Sequence, residues 1–285
     1  MRQSRANIIS YLCRRMESLY PLRECQLIAR TVAAELEECN PMQYLIDPQK
    51  EVELENLERV ADELAAGRPV QYVIGYTDFC DHRFNVREGV LIPRPETEEL
   101  VMWLAEQAVD VVQPRILDVC TGSGCIAISL KLALPKGDVT AIDLSEEALI
   151  IARENATQLA ADVDFVRDDA LAGLSSLEGR TFDFIISNPP YIPCSEREQM
   201  HRNVLDYEPS MALFVEDSDP LLFYRSIART AHSLLTERGK LFFEVHHLWA
   251  EATAKMLQDE GYSNVEIRID GFGKPRMICC QEIKK

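Results

Sequence analysis

From residue 115 onward the chain repeats one pattern: a short apolar run of strand length, then a stretch with helical periodicity. The first runs are RILDVC, DVTAID, VDFVRDD and FDFIIS. Helical stretches of roughly 10–15 residues separate the first three, which is the signature of βαβ units around a parallel sheet. Residues 221–235 read as a further helix, KLFFEVH as a fifth strand and 249–260 as another helix. Two more runs, NVEIRID and MICCQEI, are joined only by GFGKPR. A parallel crossover needs a dozen or more residues, so these last two strands are expected to form an antiparallel hairpin. The expected fold class is therefore α/β, a Rossmann-like seven-stranded sheet with an antiparallel terminal hairpin, preceded by a small N-terminal helical domain.

That helical domain is read over residues 1–70. Ile8, Ile9, Leu12, Met16 and Leu19 recur at helical spacing before Pro21. Leu27, Ile28, Val32 and Leu36 repeat the pattern until Asn40-Pro41, and Leu54, Leu57, Val60, Ala61 and Leu64 make a third stripe, closed by Gly67-Arg68-Pro69. Residues 71–92 change character, with aromatic and β-branched residues punctuated by Gly75, Asp81-His82 and Gly89, and read as a hairpin linker of extended segments. The later domain is expected over 93–285.

The formal net charge of -17 disfavours nucleic acid as the main partner, because so acidic a surface repels phosphate backbones at long range. The nine cysteines are odd in number and contain no CxxC pair, so reduced thiols in a cytoplasmic protein are expected rather than disulfides or structural zinc. The first twenty residues lack the uninterrupted apolar stretch of a leader, and no run is long enough to span a membrane.

Two stretches carry chemistry. Asp118-Val119-Cys120-Thr121-Gly122-Ser123-Gly124 follows the first strand and opens a helix, and Gly122, Gly124 and Ala127 match G-x-G-x-x-G/A. Asp143 ends the next strand, where a carboxylate can grip two ribose hydroxyls or, alternatively, cap the helix that follows. A dinucleotide needs its pyrophosphate at the helix N-terminus, and Asp118 would repel one. The same carboxylate suits the ammonium of S-adenosylmethionine, which tips the reading toward that cofactor. Asp168-Asp169 either meets the adenine or is a solvated strand-end pair.

The second stretch is Asn188-Pro189-Pro190-Tyr191, at the carboxyl end of the fourth strand. Proline ends strand pairing and leaves the Pro189 carbonyl without a ladder partner. That carbonyl and the Asn188 side-chain oxygen are two acceptors for a planar NH2 group, with the Tyr191 ring to stack on it. Three other features are left open. His246-His247 is a metal candidate or a strand end; Arg94 and Glu96 cover a cofactor or cap a helix; Glu244 lines the crevice or is a paired buried carboxylate.

The chain resembles the HemK/PrmC family, the protein-(glutamine-N5) methyltransferases of peptide chain release factors. The resemblance is carried by GRPVQYVIG, LIPRPETEEL, ILDVCTGSGCIAISL, SNPPYI, YEPSMAL and DGFGKPRMI, in that order. It implies a class I S-adenosylmethionine-dependent methyltransferase whose helical domain helps to hold the release factor. Its product would be S-adenosylhomocysteine. By position it implies that Asp118, Cys120, Thr121, Gly122, Ser123, Gly124, Asp143, Asp169, Ala170 and Asn188 bind cofactor. It implies equally that Asn188, Pro189, Pro190 and Tyr191 hold the glutamine of the GGQ loop. Cys120 stands where the family usually has Gly, and Ala170 where some members have an aromatic. The alternative is an adenine N6-methyltransferase acting on nucleic acid, which shares NPPY but should bring a basic groove. A nicotinamide dehydrogenase using G-x-G-x-x-A and a non-catalytic adaptor are more distant rivals.

Overall fold

A computed structural model describes residues 2–282. The end of the last expected strand, from Ile283, lies outside the described residues. The chain divides into two compact units, residues 1–76 with 201–207, and residues 77–200 with 208–285.

The first unit is helical: Arg5–Met16, Leu22–Leu36, Leu57–Ala65 and the short Gln43–Ile46 and Val70–Ile74. Gln3–Ser4 and Glu51–Val52 add a two-residue antiparallel pair that the helical periodicity did not announce. Its core contains Ile8, Leu12, Met16, Val32, Val60 and Leu64. Leu27 and Leu19, counted in the apolar stripes, are instead exposed. The buried face of the second helix is made by Cys25, Ala29, Val32 and Ala33, small side chains that let helices pack closely. Val70–Ile74, expected to be extended, is a helix because Pro69 presets its first turn and Gly75, at φ +87°, accepts the left-handed stop. Residues 201–207, in the stretch given to the later domain, group with this unit, where the Tyr207 hydroxyl donates to the Ala66 carbonyl at 3.1 Å.

Arg5 is buried and donates to Glu37 at 2.6 and 2.9 Å and to the Gln43 carbonyl at 2.9 Å. The guanidinium holds the Glu37 carboxyl down to about 2.

The second unit holds the sheet. Its strands are β1 (Arg115–Val119), β2 (Asp138–Asp143), β3 (Asp164–Arg167), β4 (Phe182–Ser187), β5 (Leu235–Glu244), β6 (Ser263–Ile269) and β7 (Pro275–Gln281). Their spatial order is β6-β7-β5-β4-β1-β2-β3. Pairings among β5, β4, β1, β2 and β3 are parallel, and β7 is antiparallel to both neighbours, as the short GFGKPR loop requires. The helices are α1 (Pro95–Ala108), α2 (Cys125–Ala133), α3 (Glu146–Gln158), α4 (Leu222–Leu234) and α5 (Ala250–Asp259).

Strand side chains alternate in direction, and here both faces are apolar because helices cover both. Leu117, Ile185, Leu241 and Phe243 pack with Tyr224, Ile227 and Ala231 of α4 and Leu257 of α5. Ile116, Phe184, Ile186 and Phe242 pack on the other face with Trp103 and Leu104 of α1 and Ile126 and Leu130 of α2. Each fully buried side chain of this size contributes roughly 1.5–3 kcal/mol. The fifth strand begins at Leu235, earlier than KLFFEVH suggests, through a bulge before Lys240 in which Arg238 takes φ 68°. No described helix is long and apolar enough to cross a membrane.

A depressed carboxyl stabilises the fold above its ordinary range and loses that contribution as pH falls through its folded value. Glu37→Gln is therefore expected to cost about 3 kcal/mol at neutral pH, as removal of one member of a buried pair does. The gap between wild type and variant should close as pH falls from about 5 toward 2. Urea unfolding followed by circular dichroism across that range checks this; a gap independent of pH would show that the pair is not ionic.

Candidate functional site

Strand order reverses between β1 and β4: the chain leaves β1 toward β2 and β3, and later leaves β4 toward β5. In an open α/β sheet the crevice beyond the strand carboxyl ends at such a point is where ligands sit. A cavity with about 860 Å³ of space, part of it open to solvent, lies there. Its wall includes Cys120 after β1, Asp143 at the end of β2, Asp168, Asp169 and Ala170 after β3, and Asn188 and Pro190 after β4.

The turn after β1 is built from within. Gly124 precedes α2 and has no side chain to cap it, so the helix amides need another acceptor. Asp118 supplies it from the strand: its Oδ2 accepts from the Ala127 amide at 3.2 Å and from the Thr121 hydroxyl at 2.6 Å. Burial lifts the Asp118 carboxyl to about 7 despite those two bonds. Asp118 is fully buried and is not part of the cavity wall; its Oδ2 caps the helix, while its Oδ1 is buried with no hydrogen-bond partner among the described residues. Thr121, Ser123 and Gly124 are likewise buried and build the turn rather than line the cavity. The Asn155 side-chain amide donates to the Ser123 carbonyl at 2.9 Å. A Cβ on Gly124 would stand 2.9 Å from Ile128 and 3.1 Å from Ala152, so this glycine permits α2 to pack on α3. Gly122, in contrast, lines the cavity, with open space where a Cβ would project.

Asp143 is held by two backbone amides. Its Oδ2 accepts from Gly122 and its Oδ1 from Ser145, each at 2.9 Å. The following helix is capped by Ser145, whose hydroxyl accepts from Ala148, so Asp143 is not its side-chain cap. Burial raises the Asp143 carboxyl, against the bonds from Ser145 and Gly122. Each oxygen keeps a second lone pair, an arrangement suited to two neighbouring hydroxyls. Asp168 accepts from the amide and hydroxyl of Ser176 and from the Asp169 amide. Asp169 accepts from the Leu171 amide through Oδ1 at 2.8 Å. Ala170 is a small apolar part of the wall.

Asn188 follows β4 directly, and its side-chain amide donates to the Thr97 hydroxyl at 3.3 Å. Pro189 is buried and Pro190 reaches the cavity. Among the described residues no hydrogen bond reaches the Pro189 carbonyl oxygen. The Tyr191 hydroxyl donates to Glu244 at 3.0 Å and its ring packs against the core on the α4 face. It stands edge-on to His246, with ring centroids 6.0 Å apart. His246 Nε2 lies 3.2 Å from Glu196, and no group of three His, Cys, Asp or Glu side chains placed for a metal occurs among the described residues.

Several wall residues were not singled out in the sequence. Gly89, Val90 and Leu91 come from the stretch read as linker, Pro209, Met211 and Ala212 from YEPSMAL, and Phe223 from α4. Arg94 is not on the cavity wall, and it stands at the N-cap of α1 without a side-chain cap bond. It pairs with the buried Glu208 at 2.6 Å, while the other Glu208 oxygen accepts from the Ile92 amide at 3.1 Å. Two wall segments are thereby fastened together. The motifs LIPRPETE and YEPS held that signal, but only a contact between them reveals it.

The wall carries Asp143, Asp168 and Asp169 and no Lys, Arg or His. Such a donor set fits a cationic ligand with vicinal hydroxyls and opposes a pyrophosphate, so the residues present fit S-adenosylmethionine. Cys120 adopts φ 65°, a left-handed conformation that costs an L-residue roughly 1–2 kcal/mol. Burial pushes its thiol well up, as do the charges of Asp143 and Asp118, so it is not poised as a nucleophile. Cys120→Gly and Cys120→Ala both remove the thiol, but only glycine relieves the backbone. The glycine variant should be the more stable by about 1 kcal/mol in denaturant unfolding; equal stabilities would show that the turn stores no strain.

A family model described as "Methyltransferase small domain" matches residues 97–206. Release factor glutamine methyltransferase of Bacteroides thetaiotaomicron is 40% identical over 277 residues, covering 95% of this chain and 98% of its own. The protein of the same name from Flavobacterium psychrophilum is 42% identical, with 80% of each chain covered. A methyltransferase structure from Pyrococcus furiosus shares the fold at 17% identity and a TM-score of 0.51, over 70% of this chain and 89% of that one. With a relative this similar along nearly its whole length, and a methyltransferase sheet carrying a cavity at its switch point, the chain belongs to the release factor glutamine methyltransferase family.

Proposed function

We propose that the protein transfers the methyl group of S-adenosylmethionine to the side-chain amide nitrogen of the glutamine in the GGQ loop of peptide chain release factors. The observation that carries this reading is the placement of Asn188 at the switch point, on the wall of the cavity that Asp143 also lines. The names of the full-length relatives supply the substrate class. The acidic wall and the net charge of -17 speak against a phosphate-rich substrate, and hence against the adenine-methylating alternative.

When bound, S-adenosylmethionine supplies an electrophilic methyl on a sulfonium. Asp143 would hold the ribose hydroxyls, and Asp169 would take the adenine amine. Gly122 and Cys120 let the cofactor lie against the backbone. An amide nitrogen is a weak nucleophile because its lone pair is delocalised. Asn188 Oδ1 and the Pro189 carbonyl accept the two amide protons, which raises electron density on that nitrogen and aims its remaining lobe. Tyr191 and Pro190 shape the slot. The proton leaves the product nitrogen to solvent, and S-adenosylhomocysteine is the by-product.

The helical unit is assigned to holding the release factor, with 71–92 as linker and the remainder as methyltransferase domain, except that 201–207 is counted with the helices. The proposed substrate works on ribosomes, which supports a cytoplasmic location.

Asn188→Ala should lose at least about 10²-fold in turnover, as removal of one preorganised hydrogen-bonding group does. Its affinity for S-adenosylmethionine should be unchanged by calorimetry. Asp143→Ala should weaken cofactor binding by about tenfold to a hundredfold, the loss of hydrogen bonds to a charged group. Mass spectrometry of purified release factors incubated with enzyme and S-adenosylmethionine reads the product. One added methyl on the GGQ glutamine supports the assignment; label appearing in nucleic acid instead would overturn it.

A further inference from the structure

Behind Asn188 lies a closed chain of side chains from three elements. Asn188 Nδ2 donates to Thr97 Oγ1 at 3.3 Å, and Thr97 Oγ1 donates to Glu244 Oε2 at 2.5 Å. Glu244 Oε1 accepts from the Tyr191 hydroxyl at 3.0 Å. Thr97 sits in the first turn of α1, Glu244 ends β5, and Asn188 and Tyr191 follow β4. Thr97 and Glu244 are 2% and 1% exposed, so no bulk water competes for these bonds. The Thr97–Glu244 separation lies at the short end of the O–H···O range.

The donor and acceptor count then settles which way the Asn188 amide points. When ionised, Glu244 only accepts. Thr97 has one hydroxyl proton, and it is committed to Glu244. The Thr97 oxygen can therefore only accept from Asn188, which must present its NH2 side. The opposite, carbonyl side of Asn188 is left for the cavity. Asparagine has no intrinsic preference between its two orientations, and the flipped one would offer a second donor to an NH2 group that is itself a donor. Polarisation along the chain also strengthens the outer acceptor, since each bond to a charged end reinforces the next. Burial raises the Glu244 carboxyl, against the bonds from Thr97 and Tyr191 and the charge of Arg276 on β7, which is itself 3.4 Å from Asp270.

We propose that Thr97 and Glu244 are positioning residues that set the orientation of the Asn188 amide and the seat of Tyr191, and that this relay selects an NH2-bearing substrate. It rests on the reading in which Asn188 Oδ1 holds the glutamine amide.

The test compares steady-state methylation of a purified release factor by the full-length wild type, Thr97→Val, Thr97→Ser, Glu244→Gln and Asn188→Ala, with cofactor affinity measured on each. Thr97→Val removes the hydroxyl and keeps the shape, and should lower kcat by about 10²-fold, the scale of a misplaced reacting group. Cofactor Kd should stay within about threefold, a change of less than 1 kcal/mol. Thr97→Ser restores the hydroxyl and should recover most of the lost turnover. Glu244→Gln can present either side to Thr97 and should lower kcat by at least about tenfold without moving cofactor Kd. Wild-type kcat in Thr97→Val, or equal losses in Thr97→Val and Thr97→Ser, overturns the relay. Should Thr97→Val not fold, wild-type kcat in Glu244→Gln overturns it alone. If Asn188→Ala still methylates the glutamine, the reading of the site itself fails, which is a different result from failure of the relay.

Discussion

The second unit depends on β1 and β4 lying side by side. Their parallel pairing runs from Ile116 opposite Phe184 to Val119 opposite Ser187, and the Ser187 hydroxyl closes it by donating to the Val119 carbonyl at 2.6 Å. Because consecutive strands then spread in opposite directions, the loops after β1 and β4 are not bridged by a crossover helix. A crevice remains between them. One loop carries the open backbone at Gly122 and the other carries Asn188. Gly122 and Asn188 come to the wall of one cavity through sheet topology, although 68 residues separate Val119 from Ser187.

Much of this was legible from periodicity and breakers. Parallel strands buried on both faces read as unbroken apolar runs, so FDFIIS and RILDVC were visible, and a six-residue loop dictated the antiparallel end. The Asn-Pro-Pro break was visible for the same reason, since proline cannot continue a ladder. What stayed hidden depends on which way a side chain turns. Asp118 reads from spacing as a ligand group, and one of its oxygens also caps α2, a role no spacing shows, because Gly124 has no side chain to do it. Leu27 fits a helical stripe, yet alanines make the packed face and leave it outside. Glu208 and Arg94 meet across 114 residues, a distance no local pattern encodes. The wall segments at 89–91 and 209–212 belong to the same class, because they are far apart in sequence and meet only in the fold.

The electrostatics of the cavity follow from the same frame. Strand carboxyl ends gather Asp143, Asp168 and Asp169 at one crevice, and no basic side chain answers them there. All three already accept hydrogen bonds from backbone amides that keep them in place. A site of this kind gains little by binding phosphate and much by binding a cation. The contrast with a dinucleotide fold therefore lies in the charge around the glycines more than in the glycines themselves, which both kinds of site share.

Burying a carboxylate such as Glu244 costs free energy, and an apolar residue of equal volume often serves stability as well or better. Its retention beside Asn188 is explained by what an acceptor-only group can do that an apolar one cannot. Every neighbour of Glu244 must donate to it, and each donor thereby has its remaining polarity assigned. Tyr191 has its ring anchored by its hydroxyl, and Thr97 becomes an acceptor toward Asn188. A hydroxyl or an amide in place of Glu244 could reverse any of these bonds, and the site would then sample both orientations of Asn188. One buried charge thus removes an ambiguity that packing alone leaves open, because the two ends of an asparagine amide are nearly the same shape.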